Sequence, residues 1–455
     1  MKTYQDWEKV ANQSEEQRME FVLSCINEFK GSPEYRWAVD AEAYFNEENP
    51  TILKYEKLIY NALGQRVPDL VSANHKIPSK IFYRIVVQQV LVLLGNGISW
   101  NEDGTEEALG KNFDRRVVDL AFSAVVQSAG YGYWNLDHLE AFEFLEFIPL
   151  IDEFDSSIKA GIRFTQIDIT KPLRVTLYEL DGVTEYTWVK GKGEVTKEKR
   201  AYILNVSENA VDGEEIIGFE NYPSFPIVPL YNNKKRTSAL TVGMRNKIDA
   251  YDLINSGYIN DEDDMNILYW SITNAGGMDD ADIVSIIDKL RKIHMAQLDG
   301  DQQLQAHSVE TPYLGREAIL DRLEKQIYRD AMALNTYDLA SGAVTATQIR
   351  AAYEPLQSKE DLFEVKVSDF IDGILSIAGI DDTPTYTRSI LVNETEEVQN
   401  VISAAPYLSE EYVREKLLTI LGDKDRIQEV NEQVEALNIA RFASIREQQN
   451  MSESE

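Results

Sequence analysis

The chain has a single cysteine, Cys25, in 455 residues. An internal disulfide is excluded, and a reducing compartment is expected. Phe21, Val22, Ile26 and Phe29 share a helical face with that thiol, which places it in a core. No run reaches the roughly 18 apolar residues of a membrane span. The nearest, residues 81–94, is broken by Arg84 and Gln88-Gln89, so no membrane partner is expected. The opening MKTYQDWEKV lacks the apolar stretch of a signal peptide, and no export is expected.

Positive charge is also scarce. The chain has 45 Lys and Arg against 77 Asp and Glu, a formal charge of −32. No base occurs between Lys247 and Lys289, where the acids are Asp249, Asp252, Asp261, Glu262, Asp263, Asp264, Asp279, Asp280, Asp282 and Asp288. A protein that grips DNA through its phosphates carries a basic patch. Two readings fit its absence here: a wall along which DNA slides, or an acidic protein with no nucleic-acid role.

Familiar catalytic motifs are missing. There is no phosphate-binding P-loop; Gly130-Tyr131-Gly132 and Gly191-Lys192-Gly193 have the wrong context. His75, His138, His294 and His307 share no zinc spacing, so no metal and no cofactor are expected. None pairs in sequence with a Ser or Cys nucleophile motif, so no catalytic residue is assigned. The one enzymatic candidate is Asp261-Glu262-Asp263-Asp264, with Asp279 and Asp280, as a Mg²⁺ site for phosphodiester cleavage. Consecutive acids on a helix diverge, and a solvated helix end explains them as well. Trp100, Trp134, Trp188 and Trp270 read as core or interface anchors, because base-stacking platforms need basic neighbours.

What is present points to an α+β fold, mainly helical. Ser14 with Gln17 forms a capping box, and the helix it opens stops at Gly31-Ser32-Pro33. Further helices are expected over 35–45, 77–94, 113–128, 279–293, 316–332, 345–378 and 409–447, with Pro355 kinking the 345–378 helix. From 131 to 230 the texture is that of antiparallel strands, with a hairpin over 173–189 turning at Asp181-Gly182. Short strands are expected at 267–273, within 297–309 and at 383–393.

The most informative stretch is 225–266. An apolar strand, 225–230, leads into Tyr231-Asn232-Asn233 and the basic triplet Lys234-Lys235-Arg236. A helix over 238–263 follows, capped by Thr237 or Ser238. Leu240, Met244, Ile248, Tyr251, Ile254, Tyr258 and Ile259 mark one face of it. Its length of roughly 39 Å suits a shaft or bundle. The triplet is either a solvated turn or a contact for acids on a neighbouring subunit, since a helix start favours anions.

This order resembles the portal proteins of long-tailed double-stranded DNA phages. Ala43-Tyr44-Phe45 with Asn49-Pro50-Thr51-Ile52, then Ile85-Val86 and Leu94-Gly95-Asn96-Gly97, resemble the family's N-terminal landmarks. Residues 225–266 are the strongest match. Leu323 to Arg329, Ser341-Gly342, Pro355-Leu356, Tyr386-Thr387-Arg388, Asn393-Glu394-Thr395-Glu396 and Leu408-Ser409-Glu410-Glu411 resemble the later ones.

The resemblance implies a cyclic ring, a dodecamer, with wing, stem, clip and crown around a central channel at one capsid vertex. Residues 1–236 would be wing, 237–263 and 314–332 stem, and 264–313 clip. Residues 333–344 would be the tunnel loop, 345–400 a long wing helix and strand, and 401–455 the crown and tail. The DNA-proximal loop residues would be Asn335, Thr336, Tyr337, Asp338, Leu339, Ala340, Ser341 and Gly342. That loop holds one charge and no base, so constriction rather than ion pairing would act on DNA. Asp249, Asp252, Asp261, Glu262, Asp263 and Asp264 would be stem or channel acids, facing the channel or the clip surface. The implied partners are further copies of the chain, double-stranded DNA without sequence preference, the terminase packaging motor, a head–tail adaptor, and the major capsid and scaffolding proteins. Assembly in the host cytoplasm is implied. The competing readings are another neck or adaptor protein, which would usually be shorter, or the Mg²⁺ nuclease.

Overall fold

The computed structural model describes residues 2–60, 63–69, 72–207, 215–264, 269–273, 279–293, 303–307, 313–337, 346–388 and 394–420, with 422, 426–427, 429–431 and 433–434 beyond them. The chain divides into two compact parts. One holds Met1–Asp338 and Tyr353–Arg388; the other holds Leu339–Ala352 and Ser389–Glu455.

The larger part opens with α1 (Tyr4–Ala11), α2 (Glu15–Gly31), α3 (Pro33–Phe45) and the single turn α4 (Pro50–Leu53). The Ser14–Gln17 capping box forms, and Ser32 caps α3 with Pro33 at its first position, so the expected helix break is real. A small hairpin, β1 (Leu58–Tyr60) with β2 (Arg66–Pro68), precedes α5 (Ile81–Leu94). Then come β3 (Ile98–Ser99), α6 (Thr105–Leu109) and α7 (Phe113–Gln127).

The β region is β4 (Ala129–Asn135), β5 (His138–Glu143), β6 (Phe147–Ile151), β7 (Ile158–Thr165), β8 (Leu173–Glu179), β9 (Gly182–Val189), β10 (Lys192–Arg200), β11 (Ile203–Ser207), β12 (Glu215–Glu220) and β13 (Ile227–Tyr231). It forms an antiparallel meander, β10-β9-β8-β7-β6, a three-stranded sheet, β13-β4-β5, and the pair β11-β12. The 173–189 hairpin is present, but Glu179 pairs with Gly182, so the turn is Leu180-Asp181 rather than Asp181-Gly182.

The long helix α8 (Val242–Asp264) follows, then β14 (Tyr269–Thr273), α9 (Asp280–Ile293), β15 (Gln303–His307), α10 (Tyr313–Asp330) and α11 (Ala346–Ala378), which contains Pro355. β14 pairs with β15, and β16 (Thr385–Tyr386) with β3. The strand expected over 383–393 is thus two residues long; 389–393 lie outside the described residues.

The larger part has two cores. Helix α2 and Trp7 of α1 cover the meander, with Cys25 among Phe21, Val22, Ile26 and Phe29. Helices α5, α7, α8 and α11 share the other, through Ile85, Val117, Met244 and Phe370. The smaller part holds α12 (Glu394–Ala404), a 3₁₀ turn at Ala405–Tyr407 and α13 (Glu410–Ile420). Helices α1 and α12 are not among the expected elements, and residues 435–447 of the expected C-terminal helix lie outside the described residues.

Candidate functional site

Helix α8 begins four residues later than expected. Ser238 is not its cap: the hydroxyl donates to the Val126 carbonyl at 2.6 Å and accepts from the Leu240 N–H. Thr241 is the cap, its Oγ1 accepting from the Met244 N–H at 3.2 Å. The basic triplet is therefore set off from the helix start by 237–241. It sits in a turn built on Asn233, whose Oδ1 accepts from the N–H groups of Lys235 and Thr237. Lys234, Lys235 and Arg236 are exposed, and Arg236 lies 4.5 Å from the Tyr231 ring centroid.

The apolar face of α8 is only partly as expected. Met244 and Ile248 enter the core, as does Leu240 ahead of the helix, but Tyr251 is half-buried and Ile259 is exposed. In the second half the buried positions are polar: Asp252, Ser256 and Asn260, at four-residue steps. They bond an extended segment running alongside. Asp252 Oδ1 accepts from the Ser79 N–H at 3.1 Å, Ser256 Oγ from the Ile77 N–H at 3.0 Å, and Asn260 Oδ1 from the His75 N–H at 2.6 Å. The ladder replaces a missing β-partner for those amides, which is why these buried residues are polar.

At its upper end the ladder meets Asn49. That side chain caps α4 through Oδ1 and donates from Nδ2 to Asp252 at 2.8 Å and Asp249 at 3.1 Å. Tyr44 also donates its hydroxyl proton to Asp249. Burial pushes the Asp252 carboxyl up to about 6, while hydrogen bonds from Ser79 and Asn49 pull it back. Asp252 has no exposed surface, so the expectation that it lines a channel is corrected: it is an internal tie.

A third face of α8 packs antiparallel on α10. Lys247 pairs with Asp330 near one end; near the other, Arg316 pairs with Asp261 at 2.5 Å and the Tyr258 and Tyr313 rings meet edge-on at 5.8 Å. Glu262 accepts from the Tyr313 hydroxyl at 3.3 Å, and Asp263 lies 3.2 Å from His75 Nε2. The clustered acids thus turn to different partners. Among the described residues no three His, Cys, Asp or Glu side chains gather closely enough to hold a metal ion. The side chain of Asp264 lies outside the described residues, as do those of Asp280 and Asp288.

The tunnel-loop candidates follow α10, which ends at Asp330; two residues on, Met332 has a φ of 53°. Gln88 of α5 holds the next turn, accepting from the Leu334 N–H at 2.8 Å and donating to its carbonyl. Asn335 Oδ1 accepts from the Tyr337 N–H, and Thr336 and Tyr337 are exposed. Asp338, Leu339, Ala340, Ser341 and Gly342 lie outside the described residues.

Of the glycines that imitate phosphate loops, Gly191 takes a turn at a φ of 81° and the other three are packing devices. A Cβ on Gly130 would lie 2.7 Å from the Leu120 carbonyl oxygen, and one on Gly132 would lie 2.6 Å from the Phe370 ring. One on Gly193 would lie 2.7 Å from Trp188. Trp134 and Trp188 are buried, and Trp100 is half-buried against Phe113; the Trp270 side chain lies outside the described residues.

Tyr44, Asn49, Ser79, Ser256, Asn260 and Arg316 emerge as site residues that sequence reasoning did not assign. Asn49-Pro50 is a cap-plus-proline signal, and polar residues four apart at 252, 256 and 260 form a stripe; both are visible in the sequence.

The chain is 25% identical over 394 residues to the portal protein of Clostridium phage phiCD119, covering 79% of this chain and 84% of that protein. Among solved structures it is similar to the neck of an empty gene transfer agent particle, with a TM-score of 0.45, 11% identity, and 74% of this chain and 90% of that one covered. It is also similar to an HK97 family phage portal protein from Corynebacterium diphtheriae, with a TM-score of 0.36, 10% identity, and coverage of 67% and 91%. The family model for phage portal proteins of the SPP1 Gp6-like type matches residues 41–439, and the chain belongs to that family.

Proposed function

We propose that copies of this chain, twelve by family resemblance, close into a ring at one capsid vertex and that double-stranded DNA passes through its centre. The observation that carries the reading is the antiparallel α8–α10 pair, tied near its two ends by Lys247–Asp330 and Arg316–Asp261. Such a pair is a stiff shaft of about 34 Å, at 1.5 Å per residue of α8. Repeated around an axis, it would line a channel as the stem.

On this reading residues 1–236 form the wing with 345–400, 264–313 the clip, 333–344 the tunnel loop and 401–455 the crown. The clip would meet the terminase motor and later the head–tail adaptor, and the outer surfaces the major capsid and scaffolding proteins during assembly in the host cytoplasm. Asp261, Glu262 and Asp263, near the clip end of the shaft, would discourage DNA from binding. The ring would do no catalysis of its own.

Native mass with negative-stain imaging of the purified protein tests the ring. Twelve chains of 51.8 kDa give about 620 kDa and a particle with a central hole. A compact single chain at all concentrations would overturn the reading. A Mg²⁺-dependent nicking assay tests the absence of catalysis, and cleavage abolished by Asp261→Asn would contradict it.

A further inference from the structure

The hairpin β1–β2 is hard to account for in a lone protomer. Among the described residues it pairs with no other strand. An isolated two-stranded hairpin is marginal in water. Five of its six strand residues are exposed, and Val67 is half-buried. Tyr55, Leu58, Ile59, Tyr60 and Leu63 all face solvent, Tyr60 at 66% and Leu63 at 81%. Leu58, Ile59 and Tyr60 are consecutive, so apolar side chains leave both faces of the strand. Exposed apolar area of this kind marks a contact surface. A flat partner would cover one face, so the contact must be a groove that takes both.

The base of the hairpin is fixed firmly. Before it, Asn49 is tied to Asp249 and Asp252 of α8. After it, His75, Ile77 and Ser79 are bonded along the same helix. Lys76 Nζ donates to the Leu53 carbonyl at 2.6 Å, and the Asp69 N–H to the Lys57 carbonyl at 2.8 Å, closing the neck between the two sides. The polar ladder of α8 thus has a purpose beyond holding one segment: it roots an arm.

The arm is also the wrong sign for this chain. Within 55–68 the bases are Lys57 and Arg66 against Glu56, and the root adds Lys54, while Lys76 closes the neck and Lys80 pairs with Glu47, in a chain of formal charge −32. Copies of so acidic a chain repel one another, and a local basic excess at the contact reverses the sign of that interaction. A second copy of this chain is a partner whose surface is acidic overall, as those bases require. DNA would match the bases and leave the apolar faces uncovered.

We propose that the 55–68 hairpin is an assembly arm that inserts into a groove on a neighbouring copy of this chain, and that this contact is needed for subunits to associate. The inference rests on the ring reading above and adds the element that joins its subunits.

The test uses the full chain. Tyr60→p-benzoylphenylalanine is irradiated in the assembled state, and Ile59→Asp with Leu63→Asp is sized beside the wild type. The expected results are a cross-linked band at twice the chain mass and a loss of native mass to that of one chain. Unchanged far-UV circular dichroism shows that the double variant is folded; if it is not, the cross-link decides. A double variant that assembles at wild-type mass, with no cross-link between chains, overturns the arm and leaves the ring standing. Cross-linking to added duplex DNA, with assembly intact in the double variant, overturns it in favour of a nucleic-acid contact. A wild type that never leaves the single-chain state overturns the ring and the arm together.

Discussion

Asn49 donates from Nδ2 to the buried carboxylate of Asp252 at 2.8 Å, while its Oδ1 accepts from the N–H groups of Thr51 and Ile52. One side chain both caps a helical turn and satisfies a buried acid. Asn49→Ala removes the cap and leaves Asp252 with fewer donors, at a cost of about 3 kcal/mol. Asn49→Asp keeps a capping oxygen but adds a carboxylate beside Asp249 and Asp252. Thermal unfolding at neutral pH should find it at least as damaging as Asn49→Ala, with part of the loss recovered on acidification. Equal, small effects from both variants would show that the network contributes little.

Asp252 also sets a pH dependence of definite sign. Its folded-state carboxyl titrates at about 6 instead of 3.8, because burial disfavours the charged form. The folded state therefore holds a proton that the unfolded state has released between those values. Its contribution to stability is fully present below 3.8 and is lost as pH rises through about 6. Measured against Asp252→Asn, which cannot titrate there, wild-type unfolding free energy should fall by about 3 kcal/mol across that window. A parallel pH profile in the variant would contradict the assignment.

Those two residues also mark where sequence reasoning stops. The helices and the meander follow from local signals: a capping box at Ser14, proline after Ser32, apolar steps of three and four. The family itself is readable from the order of short motifs. Asp252 is different, because its partners Asn49 and Ser79 lie 203 and 173 positions away. The four-residue polar stripe it shares with Ser256 and Asn260 is visible locally, but which segment covers that stripe is not. The start of α8 fails for a related reason: Ser238 is a good cap whose hydroxyl is taken by Val126, 112 positions earlier. Strands of three residues, as in the 58–68 hairpin, are too short for an alternation to register.

Gly132 reports on how β4 is packed. The Phe370 ring of α11 occupies the space a Cβ would need, at 2.6 Å. Gly132→Ala must push that ring or the strand aside, which costs about 1–3 kcal/mol. Differential scanning calorimetry should show a lowered melting temperature, and adding Phe370→Leu should return part of it. A Gly132→Ala variant as stable as wild type would mean that the ring has room to move.

If the clip end of the shaft repels DNA, neutralising its exposed acids should reverse the effect. Glu262→Gln with Asp263→Asn removes two negative charges per subunit and leaves the Asp261–Arg316 pair intact. The assembled ring should then bind duplex DNA roughly tenfold more tightly at about 50 mM salt, with the difference gone near 500 mM as screening shortens. Equal affinities for variant and wild-type rings at low salt would place these acids away from the DNA path.

The tunnel-loop assignment makes the last prediction. Its beginning is held by the two hydrogen bonds between Gln88 and Leu334, and beyond that turn Thr336 and Tyr337 project into solvent. The stretch 335–342 carries one charge, Asp338, so any grip on DNA would come from shape and polar contact. Deleting 335–342 removes the proposed constriction while keeping the Gln88 anchor and both shaft helices. Rings of wild-type mass should therefore form, and phage particles built with them should package or retain less DNA. The readout is packaged genome length, by gel or by particle density. Full-length genomes in the deletion particles would remove the loop from the DNA path, and failure to form rings would make it a structural element of the subunit.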